Sequence, residues 1–559
     1  MLIKESCHMS DQQELLRRLD RLNAIGVALS AERDTARLME IILLGAKEIT
    51  NADGGTLYSV TDDRSLKFEI MRNQSLGVSM GGTTGVEIPF PPLPIYLENN
   101  APNVNMVAAY TVLNDCTVNI KDAYEEIGFD FSGTRKFDEQ TGYRSKSFLT
   151  IPMKNHENEI IGVLQLINAV DPVSGEIIPF SEENQQLVES LASQAAVALT
   201  NHNLIEGLKN LFEAFIELIA DAIDEKSPYT GGHCRRVPEL TMMLAEAAAR
   251  MDRGPLSNFS MNEKDIYELR IASWLHDCGK VTTPESVMDK PTKLSTIFDR
   301  IHLIEQRFEL LKQQHETDLL RQQVAALKAG READARALEA RFQEQVQQWD
   351  ADFEFLKNAN LGGEFMAQEH LQRVKDIAAY SITNKAGERV PFLSEDEVYN
   401  LSISRGTLTA EERAIINNHI VVTINMLESL PYPKDLKRVP EYAGGHHERM
   451  DGKGYPRGLA REQMSIPARV MGIADIFEAL TSRDRPYKKA KTLTESLHIL
   501  GQMKLDHHID PDLFDIFIHD KIYMRYAEKF LEPEQIDEVD ESKIPGYDPY
   551  SVYRTNQQS

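Results

Sequence analysis

Cysteine is scarce in this 559-residue chain, and long apolar runs are missing from it. The four cysteines are scattered along the sequence, at Cys7, Cys116, Cys234 and Cys278. They provide neither a disulfide framework nor a cysteine-based zinc motif, which fits a reducing compartment. No apolar stretch approaches the roughly 18 residues of a membrane-spanning helix, and no signal peptide is visible. These absences predict a soluble, cytoplasmic protein without a membrane partner.

Basic residues are also in deficit, since 61 lysines and arginines face 87 aspartates and glutamates, for a net charge of −26. Such a chain would repel a phosphate polymer, which argues against DNA or RNA as a partner. A small anionic ligand that enters a locally cationic, metal-lined pocket stays compatible with this charge. The length allows two or three domains with cores of their own.

The most informative segment is His446-His447-Glu448-Arg449-Met450-Asp451-Gly452-Lys453-Gly454-Tyr455-Pro456. Adjacent histidines suit neighbouring metals, because their rings can diverge from one stretch of backbone towards two ions. The glycines and the proline predict a tight irregular loop, on which Tyr455 offers an aromatic face and a phenol. Together with His276-Asp277 far upstream, this segment predicts a binuclear metal hydrolase site.

The upstream motif is His276-Asp277-Cys278-Gly279-Lys280, which follows an apolar run typical of a buried helix. A carboxylate beside an imidazole can bridge two metals while the imidazole holds one of them. If the helix continues, Lys280 lies on the same face as the motif and places a cation where a phosphate could bind.

Three further residues fit the same chemistry. His233 follows a glycine turn that leads into a helix. His419 is predicted in the third turn of a helix that begins with a capping pattern at Leu408-Thr409. Asp475 is a charge inside an apolar segment, and because a buried unpaired carboxylate is costly, a metal is a natural partner for it.

The order of these motifs resembles the HD-GYP family of the HD phosphohydrolase superfamily, over about residues 210–535. The resemblance implies an all-helical bundle that holds two divalent transition metals, usually iron or manganese. It also implies cleavage of cyclic di-GMP to the linear dinucleotide pGpG, which some members continue to GMP. Tyr229 stands where some members carry a carboxylate for a third metal, so a two-metal site is favoured.

Carried over residue by residue, the family motif implies a set of metal ligands: His233, His276, Asp277, His419, His446, His447 and Asp475. It implies catalytic roles for Asp277 and Lys280. It further implies contacts with the phosphates or guanines of the substrate, by Lys280, Tyr455, Arg485 and Lys488.

The ligand types agree with a phosphodiester-cleaving site. Two metals about 3.5–4 Å apart lower the pKa of a bridging water, hold phosphate oxygens and stabilise developing charge. Imidazole and carboxylate ligands suit iron, manganese or zinc, and no cysteine is required. Arg485 suits a bidentate phosphate contact and Lys488 acts as a point charge, so both could meet the second phosphate of a cyclic dinucleotide.

An insertion at residues 295–407 splits a family pattern between Lys290-Pro291-Thr292-Lys293-Leu294 and Leu408-Thr409. Its segments 296–328 and 331–358 are rich in helix formers and flank a glycine turn, which predicts an antiparallel helical hairpin. The charged surface of the hairpin is either solvated or forms a dimer contact or a lid over the site. The histidines within it, His302, His315 and His370, are predicted to be bystanders.

Upstream, residues 20–200 resemble a GAF domain, a module with a sheet and packed helices that binds a small ligand or dimerises. The likeness rests on Asn119-Ile120-Lys121-Asp122-Ala123-Tyr124, Thr141-Gly142-Tyr143-Arg144-Ser145-Lys146-Ser147 and Gly162-Val163-Leu164-Gln165-Leu166-Ile167-Asn168. The signature of the members that bind cyclic nucleotides is matched by Asn168 and Phe180 but not by Ala169 or Asn184-Gln185. A structural role and a ligand-sensing role both stay open.

An apolar stripe over residues 182–224 predicts one long linker helix. Helices linked to GAF domains commonly pair in parallel dimers, which favours a homodimer; the alternative is a single helix that lies along its own domains. Residues 1–19 and 536–559 are expected to be terminal tails. The expected fold is multidomain α+β, with an N-terminal α/β GAF domain, the linker helix, and a C-terminal all-α HD-GYP domain that contains the hairpin.

Two classes of function follow from these features. The first is a cyclic di-GMP phosphodiesterase that uses a metal-activated hydroxide and is regulated by the GAF domain. The second is a catalytically silent receptor that keeps the pocket and signals by binding a cyclic dinucleotide. A mixed cyclic dinucleotide as the substrate, and an unidentified GAF ligand, both stay open.

Overall fold

The computed structural model describes residues 2–226, 232–363, 366–483 and 490–553, with side chains from residue 16 onwards. The chain divides into two compact units, Met1–Leu211 and Phe212–Ser559. Across the described residues, no helix is both long enough and apolar enough to cross a membrane.

The N-terminal unit is an antiparallel sheet with helices packed against it. Its helices are α1 (Leu2–Ala31), α2 (Thr35–Thr50), α3 (Val107–Asn114), α4 (Ser132–Thr141) and the first part of α5 (Glu182–Lys226). Its strands are β1 (Ala52–Val60), β2 (Ser65–Asn73), β3 (Val78–Gly81), β4 (Leu93–Pro94), β5 (Val118–Ile120), β6 (Phe148–Lys154), β7 (Ile160–Val170) and β8 (Ile177–Ile178). The strand order is β3-β2-β1-β7-β6-β5, while β4 pairs with β2 and β8 pairs with β7.

Strand β7 shows why both faces of this sheet are covered. Leu164 and Leu166 face a core that they share with α1, α2 and α5, whereas Val163 faces a second cluster with Ala108 of α3. Alternate side chains of a strand point to opposite faces, so one central strand serves both layers. The predicted α/β character of this unit is confirmed.

The segment expected to be an N-terminal tail is helical, because α1 begins at Leu2. Further along α1, Leu22, Ile25 and Leu29 are buried in the same core as α2. The start of this helix was missed because residues 1–18 carry few apolar side chains at helical spacing.

The C-terminal unit is almost entirely helical. Its helices are α6 (His233–Ala249), α7 (Glu263–Leu275), α8 (Glu285–Met288), α9 (Ile301–Lys328), α10 (Glu332–Asn360), α11 (Gln368–Ala378), α12 (Glu395–Leu401), α13 (Ala410–Asn417), α14 (His419–Glu428), α15 (Val439–Gly444), α16 (Ile466–Thr481), α17 (Leu493–Leu505), α18 (Pro511–His519) and α19 (Ile522–Phe530). Two short strands, β9 (Ser381–Thr383) and β10 (Arg389–Pro391), form an antiparallel pair.

One large core joins these helices outside the insertion. It contains Ile216, Ala220 and Ile223 from the last turns of α5, and it continues through α6, α7 and α15–α19. At its centre, Phe477 contacts Phe517 and Tyr526 edge to face, with ring centroids 4.9 and 5.8 Å apart. This core gives the helices that carry the predicted metal ligands a rigid base.

The insertion contains the predicted hairpin and also a small core of its own. Helices α9 and α10 are joined at Ala329-Gly330-Arg331, where Gly330 has a φ of +75°. Phe308 of α9 and Trp349 of α10 are buried together with side chains from α11, α12 and the β9–β10 pair. The hairpin is confirmed, but the insertion is a folded subdomain, because the residues after the hairpin close its apolar side.

The last described residues, up to residue 553, pack against the body of the unit. Ile544 and Val552 are buried in the large core, although residues 536–559 were expected to be a tail. These apolar residues are isolated among polar ones, so no periodic pattern announced them.

Candidate binuclear metal site

The structure brings all seven predicted metal ligands together, although they come from α6, the end of α7, α14, the loop after α15, and α16. They form two clusters. The first cluster is His233, His276 and Asp475 with the Oδ2 atom of Asp277. The second cluster is His419, His446 and His447 with the Oδ1 atom of Asp277. The ligand atoms of His419, His446 and His447 all lie within 4.8 Å of one another, as do those of His233, His276 and Asp277.

Asp277 is the residue that the two clusters share. Its Oδ2 atom lies 3.2 Å from Nε2 of His233 and 3.3 Å from Nε2 of His276. Its Oδ1 atom lies 3.2 Å from Nε2 of His419. Ligand atoms that share one ion at 2.0–2.2 Å are typically about 3 Å apart, so each spacing is compatible with a common cation.

Asp475 completes the first cluster from α16. Its Oδ1 atom lies 3.3 Å from Nε2 of His233 and 3.8 Å from Nε2 of His276. Helix α16 is capped by Ser465, whose side chain accepts from the backbone N–H of Ala468. The two residues that precede Asp475, Ile473 and Ala474, are fully buried. The apolar segment therefore holds a carboxylate against two imidazoles.

Backbone carbonyls fix three of the imidazole rings. The Nδ1 atoms of His276, His419 and His446 lie 2.6–2.7 Å from the carbonyl oxygens of Ser273, Ile416 and Ala443, each three residues earlier. A ring that donates from Nδ1 in this way keeps the lone pair on Nε2 for a metal. In all three residues Nε2 is the atom that faces the cluster.

His233 is oriented by a carboxylate instead. Its Nδ1 atom lies 2.5 Å from Oε2 of Glu478, and the other oxygen of Glu478 accepts from Arg236 at 2.7 Å. Glu478 was noted in the sequence only as an acidic residue three positions after Asp475. Its role depends on a contact with a residue 245 positions away, which a single sequence does not reveal.

Several buried atoms in these clusters lack a hydrogen-bond partner. Within the described residues, Oδ1 of Asp277 and the Nε2 atoms of His419 and His446 make no hydrogen bond. The Nδ1 atom of His419 contacts a backbone carbonyl, and its Nε2 atom lies 3.2 Å from Oδ1 of Asp277 without a hydrogen bond between them. A cation held by these two buried atoms would satisfy both of them. The donor set therefore fits a divalent metal.

The electrostatics of the two clusters differ. Burial alone would lower the pKa of His276, but the carboxylates of Asp277 and Asp475 raise it to about 9. Burial lowers the pKa of His447 to about 4 and also lowers that of His446. Burial would raise the pKa of Asp277, yet Lys280 and the neighbouring imidazoles hold it well below its ordinary value.

Lys280 reaches the metal site by a different local structure from the one predicted. After α7, residues Cys278–Thr282 form a 3₁₀ helix, in which side chains three residues apart lie on the same face. The Nζ atom of Lys280 lies 2.5 Å from Oδ2 of Asp277. The ammonium group of Lys280 therefore lies beside the predicted metal ligands, as expected, although α7 does not continue through this residue.

Gly279 allows the Asp277 loop to approach α14. A Cβ atom at this position would lie 2.0 Å from the carbonyl oxygen of His419 and 2.6 Å from the backbone nitrogen of Thr423. The N–H group of Gly279 donates to Oγ1 of Thr423 at 2.9 Å. Only glycine permits this contact, which sets the distance between Asp277 and His419.

His419 is the first residue of α14, and the helix predicted to run through it is broken. Thr409 and Glu412 form the predicted capping box at the start of α13. Asn418 then interrupts the helix before α14 begins. The break leaves the Ile416 carbonyl free to accept from His419, which an uninterrupted helix would use for its own backbone bond.

The loop after His447 is held by a buried carboxylate. Glu448 accepts hydrogen bonds from the backbone N–H groups of Arg457 and Leu459 at 2.7 and 2.9 Å. A Cβ on Gly454 would lie 2.4 Å from the backbone nitrogen of Arg449, so glycine is required there as well. Tyr455 stacks on His447, with ring centroids 4.8 Å apart. Burial raises the pKa of Tyr455 to about 12, so its phenol is neutral.

Three predicted positions, Tyr229, Arg485 and Lys488, lie outside the described residues. Cys234 and Cys278 adjoin the clusters but are free, buried thiols. The remaining histidines named from the sequence lie elsewhere: His315 packs against Trp349 in the insertion, and His370 against Phe355. Another pair of adjacent histidines, His507-His508, contacts the loop after His447 through its backbone, since the carbonyl oxygens of His507 and His508 accept from the N–H groups of Asp451 and Met450.

Comparison with protein families supports this division of the chain. The HD domain model matches residues 394–513, and the GAF domain model matches residues 34–199. The chain therefore joins a GAF domain to an HD domain. The HD match begins within the insertion and leaves out His233 and His276-Asp277, which the structure nevertheless places with the matched ligands.

Three characterised proteins resemble parts of this chain. Identity to 3'3'-cGAMP-specific phosphodiesterase 1 of Vibrio cholerae is 42% over 80 residues, which is 14% of this chain and 18% of the relative. Identity to 3'3'-cGAMP-specific phosphodiesterase 3 of the same organism is 25% over 349 residues, which is 62% of this chain and 48% of the relative. A cyclic di-GMP phosphodiesterase of Pseudomonas aeruginosa is 37% identical over 113 residues, which is 20% of this chain and 26% of the relative.

These matches are partial, since the chain spans between 18% and 48% of the length of these three relatives. The solved GAF domain of an Acinetobacter phosphoenolpyruvate-protein phosphotransferase aligns with a TM-score of 0.25 at 14% identity, over 34% of this chain and 96% of that domain. The assignment of the N-terminal unit rests on the family match.

Proposed function

We propose that this chain is a metal-dependent phosphodiesterase that hydrolyses a cyclic dinucleotide. Cyclic di-GMP is the favoured substrate, and pGpG the first product, with GMP as a further one. The observation that carries the proposal is Asp277, which offers one carboxylate oxygen to each of two clusters at 3.2 Å. Each cluster contains ligands from before and from after the 113-residue insertion (295–407), so the insertion does not disrupt the arrangement of the ligands.

Two divalent transition metals, with iron or manganese favoured, would supply Lewis-acid stabilisation of the phosphodiester and of its attacking water. The protein's part is to fix the positions of these ions through Asp277. Rings that are already locked by backbone carbonyls lose little freedom when they bind an ion, so the site is preorganised. The same buried core keeps competing water away from the imidazoles.

Lys280 and Tyr455 are the described residues best placed to meet the substrate. The ammonium group of Lys280 stays charged, because Asp277 and Asp475 outweigh the effect of burial and raise its pKa. A cation beside the clusters can stabilise charge that develops on a phosphate oxygen. The neutral phenol of Tyr455 can donate a hydrogen bond, and its ring, stacked on His447, can hold a guanine. Arg485 and Lys488 stay predicted contacts for the second phosphate.

The names of the relatives support a cyclic dinucleotide as the substrate, but they do not decide between cyclic di-GMP and 3'3'-cGAMP. Relatives named for 3'3'-cGAMP and for cyclic di-GMP both match this chain. The decisive experiment is metal analysis of anaerobically purified protein, followed by hydrolysis assays with cyclic di-GMP and 3'3'-cGAMP in parallel. We expect two metals per chain and cleavage of cyclic di-GMP to pGpG. Two bound metals and tight binding of the dinucleotide without any cleavage would favour the silent receptor instead.

We further propose a homodimer in which the α5 helices pair in parallel. Leu204, Leu208, Leu211, Phe215 and Leu218 are each more than half exposed along α5. They follow the alternating spacing of four and three residues that a coiled-coil seam requires. Pairing with a second copy would bury this stripe. We expect Leu208→Glu to convert the dimer to a monomer in light scattering, whereas Lys209→Glu should leave it intact.

Regulation by the GAF domain, with or without an unidentified ligand, would act through this helix in the cytoplasm. Inserting four residues after Leu204 would rotate the downstream part of α5 by about 40° relative to the upstream part, at 3.6 residues per turn. We expect such a variant to change basal turnover while metal content stays the same. Unchanged turnover would contradict regulation through α5.

A further inference from the structure

The last turn of α5 makes polar contacts with two different elements of the metal site. Asp224 contacts the start of α6, where His233 is located. Lys226 contacts the 3₁₀ helix that follows Asp277. Both contacts lie within the C-terminal unit, whose core already contains Ile223 from the same turn. This end of α5 was predicted only as a linker.

Asp224 supplies a cap that α6 lacks. The N-cap residue of α6 is Gly232, which has no side chain to accept the free N–H groups of the first turn. Asp224 is buried and accepts from the N–H of Gly232 at 2.9 Å and from that of Cys234 at 3.4 Å. A carboxylate at a helix N-terminus also interacts favourably with the helix dipole. His233 lies between these two residues, so its backbone is held by α5.

Lys226 contacts the segment that follows His276 and Asp277, two other ligands of the first cluster. Its ammonium group donates to the carbonyl oxygen of Lys280 at 3.2 Å and to that of Val281. These carbonyls belong to the 3₁₀ helix Cys278–Thr282, and a cation near the C-terminal end of a helix interacts favourably with its carbonyl groups, even though the Lys280 carbonyl also accepts from the N–H of Thr283. The side chain of Lys280 in turn contacts Asp277. The position of Lys226 therefore bears on the residue that both clusters share.

We infer that Asp224 and Lys226 are positioning residues that hold His233 and the Asp277–Lys280 segment in register with each other. The end of α5 sets the separation between α6 and the 3₁₀ helix, and thereby the geometry of the first cluster and the direction of Lys280. A displacement of α5 along its axis would pull on both elements at once. This inference rests on the proposed function for its turnover readout but not for its metal-affinity readout.

The test compares variants of the full-length protein in pairs. Lys226→Met removes the ammonium group and keeps the length of the side chain, and Lys264→Met is its control, because Lys264 pairs with Asp435 on the surface. Asp224→Ala removes the cap, and Asp221→Ala is its control, because Asp221 pairs with Arg235 in an exposed contact between the same two helices. Each protein is assayed for Mn²⁺ affinity by calorimetry, and for kcat and KM with cyclic di-GMP.

We expect Lys226→Met to lower kcat by about tenfold, the lower end for groups that orient metal ligands, with two metals still bound. Lys226→Arg should recover most of the loss, because a guanidinium can also donate to two carbonyls. Asp224→Ala should weaken Mn²⁺ binding at the first cluster by about tenfold. Asp224→Asn should recover part of it, since the amide oxygen still accepts an N–H. Both control variants should match the wild type.

The inference is overturned if Lys226→Met and Asp224→Ala match their controls in kcat and in Mn²⁺ affinity. It is also overturned if they only lower the melting temperature while kinetics and affinity at 25 °C stay normal, because that would indicate a purely structural role. If the wild-type protein cleaves no cyclic dinucleotide, the proposed function fails, and the Mn²⁺ affinities alone then decide the inference.

Discussion

The two clusters of predicted metal ligands share the carboxylate of Asp277 but differ in their other ligands. In the first cluster, His233 and His276 face the carboxylates of Asp475 and Asp277 at 3.2–3.8 Å. In the second, the ligand atoms of three imidazoles lie close together, one of them, Nε2 of His419, lies 3.2 Å from Oδ1 of Asp277, and the Nε2 atoms of His419 and His446 are left without a hydrogen bond in the described structure. The imidazoles of the first cluster can share protons with its carboxylates, whereas the second cluster contains buried nitrogen and oxygen atoms without hydrogen bonds that a cation would satisfy.

This difference has a consequence for metal binding. Entry of a metal into the first cluster must displace protons that the carboxylates hold on the imidazoles. Burial lowers the pKa of His446 and of His447, so these two rings release no proton when a metal enters the second cluster. Carboxylate-rich sites also suit manganese better than imidazole-rich sites do, so the two positions should differ in metal preference.

Substitution of the shared residue should have the largest effect. Asp277→Ala removes a ligand from both clusters, so we expect loss of both metals and a fall in kcat/KM of about a thousandfold or more. Metal analysis and hydrolysis assays measure the two losses. Asp435→Ala, at an exposed ion pair, is the control. Two metals per chain with normal turnover in Asp277→Ala would refute the bridging role.

Substitutions confined to one cluster should separate the two. We expect His233→Ala to lose the metal of the first cluster and His447→Ala that of the second, so that each variant binds one metal per chain. Turnover should fall by about a hundredfold or more in both, because charge stabilisation from one ion is missing. The measurement is metal stoichiometry against residual rate. If either variant lost both metals, the clusters would not be independent apart from Asp277.

The dependence of metal binding on pH should distinguish the first cluster, which remains in His447→Ala, from the second cluster, which remains in His233→Ala. The pKa of His276 is raised to about 9, so this imidazole is protonated at pH 7 in the metal-free protein. Metal affinity of the first cluster, measured in His447→Ala, should therefore rise by about tenfold per pH unit for each proton released, up to about pH 9. The pKa of His447 is lowered to about 4, so this ring releases no proton between pH 6 and 9, and affinity of the second cluster, measured in His233→Ala, should depend on pH less steeply than that of the first. Calorimetry in buffers of different ionisation enthalpy counts the protons directly.

The same pKa shift has a defined effect on the stability of the metal-free protein. A histidine whose folded pKa lies above its unfolded value of about 6.5 binds more protons in the folded state. His276 should therefore contribute stability that is fully present below pH 6.5 and is lost as the pH rises through about 9. Denaturant titrations of the chelated protein at pH 6.5 and pH 9 would measure it, and a His276→Ala variant should show a smaller pH dependence, with the remainder due to His233, whose pKa is also raised by neighbouring carboxylates.

The smallest effect should come from the aromatic contact at the second cluster. Tyr455→Phe keeps the ring that stacks on His447, so we expect kcat/KM within a few-fold of wild type if stacking dominates. Tyr455→Ala should lower kcat/KM by about fivefold, since an aromatic pair contributes about 1 kcal/mol. A loss in Tyr455→Phe as large as that in Tyr455→Ala would assign the main role to the phenol.

The ligands could be predicted from sequence because each lies in a distinctive local motif. The paired histidines, the His-Asp dipeptide and a carboxylate within an apolar helix are all local signals, and the structure brings these residues together. Their roles as metal ligands stay predictions until metals are measured. The insertion did not obscure them, because it enters between ligand-bearing segments rather than within one.

The supporting contacts could not be predicted in this way. Glu478 reaches a histidine 245 positions earlier, and Lys226 reaches backbone carbonyls more than 50 positions later. Hydrogen bonds to backbone carbonyls leave no trace in residue identity at the acceptor. The break at Asn418 could not be predicted either, because no proline or glycine lies near it in the sequence.

The most direct test of the two-cluster account is stepwise addition of Mn²⁺ to the metal-free protein, with electron paramagnetic resonance and hydrolysis of cyclic di-GMP followed together. The account predicts little hydrolysis at one ion per chain, with activity rising as the second ion binds. It also predicts an exchange-coupled signal from two ions bridged by Asp277, which Asp277→Ala abolishes. Full hydrolysis at one ion per chain, with only uncoupled signals at two, would contradict it.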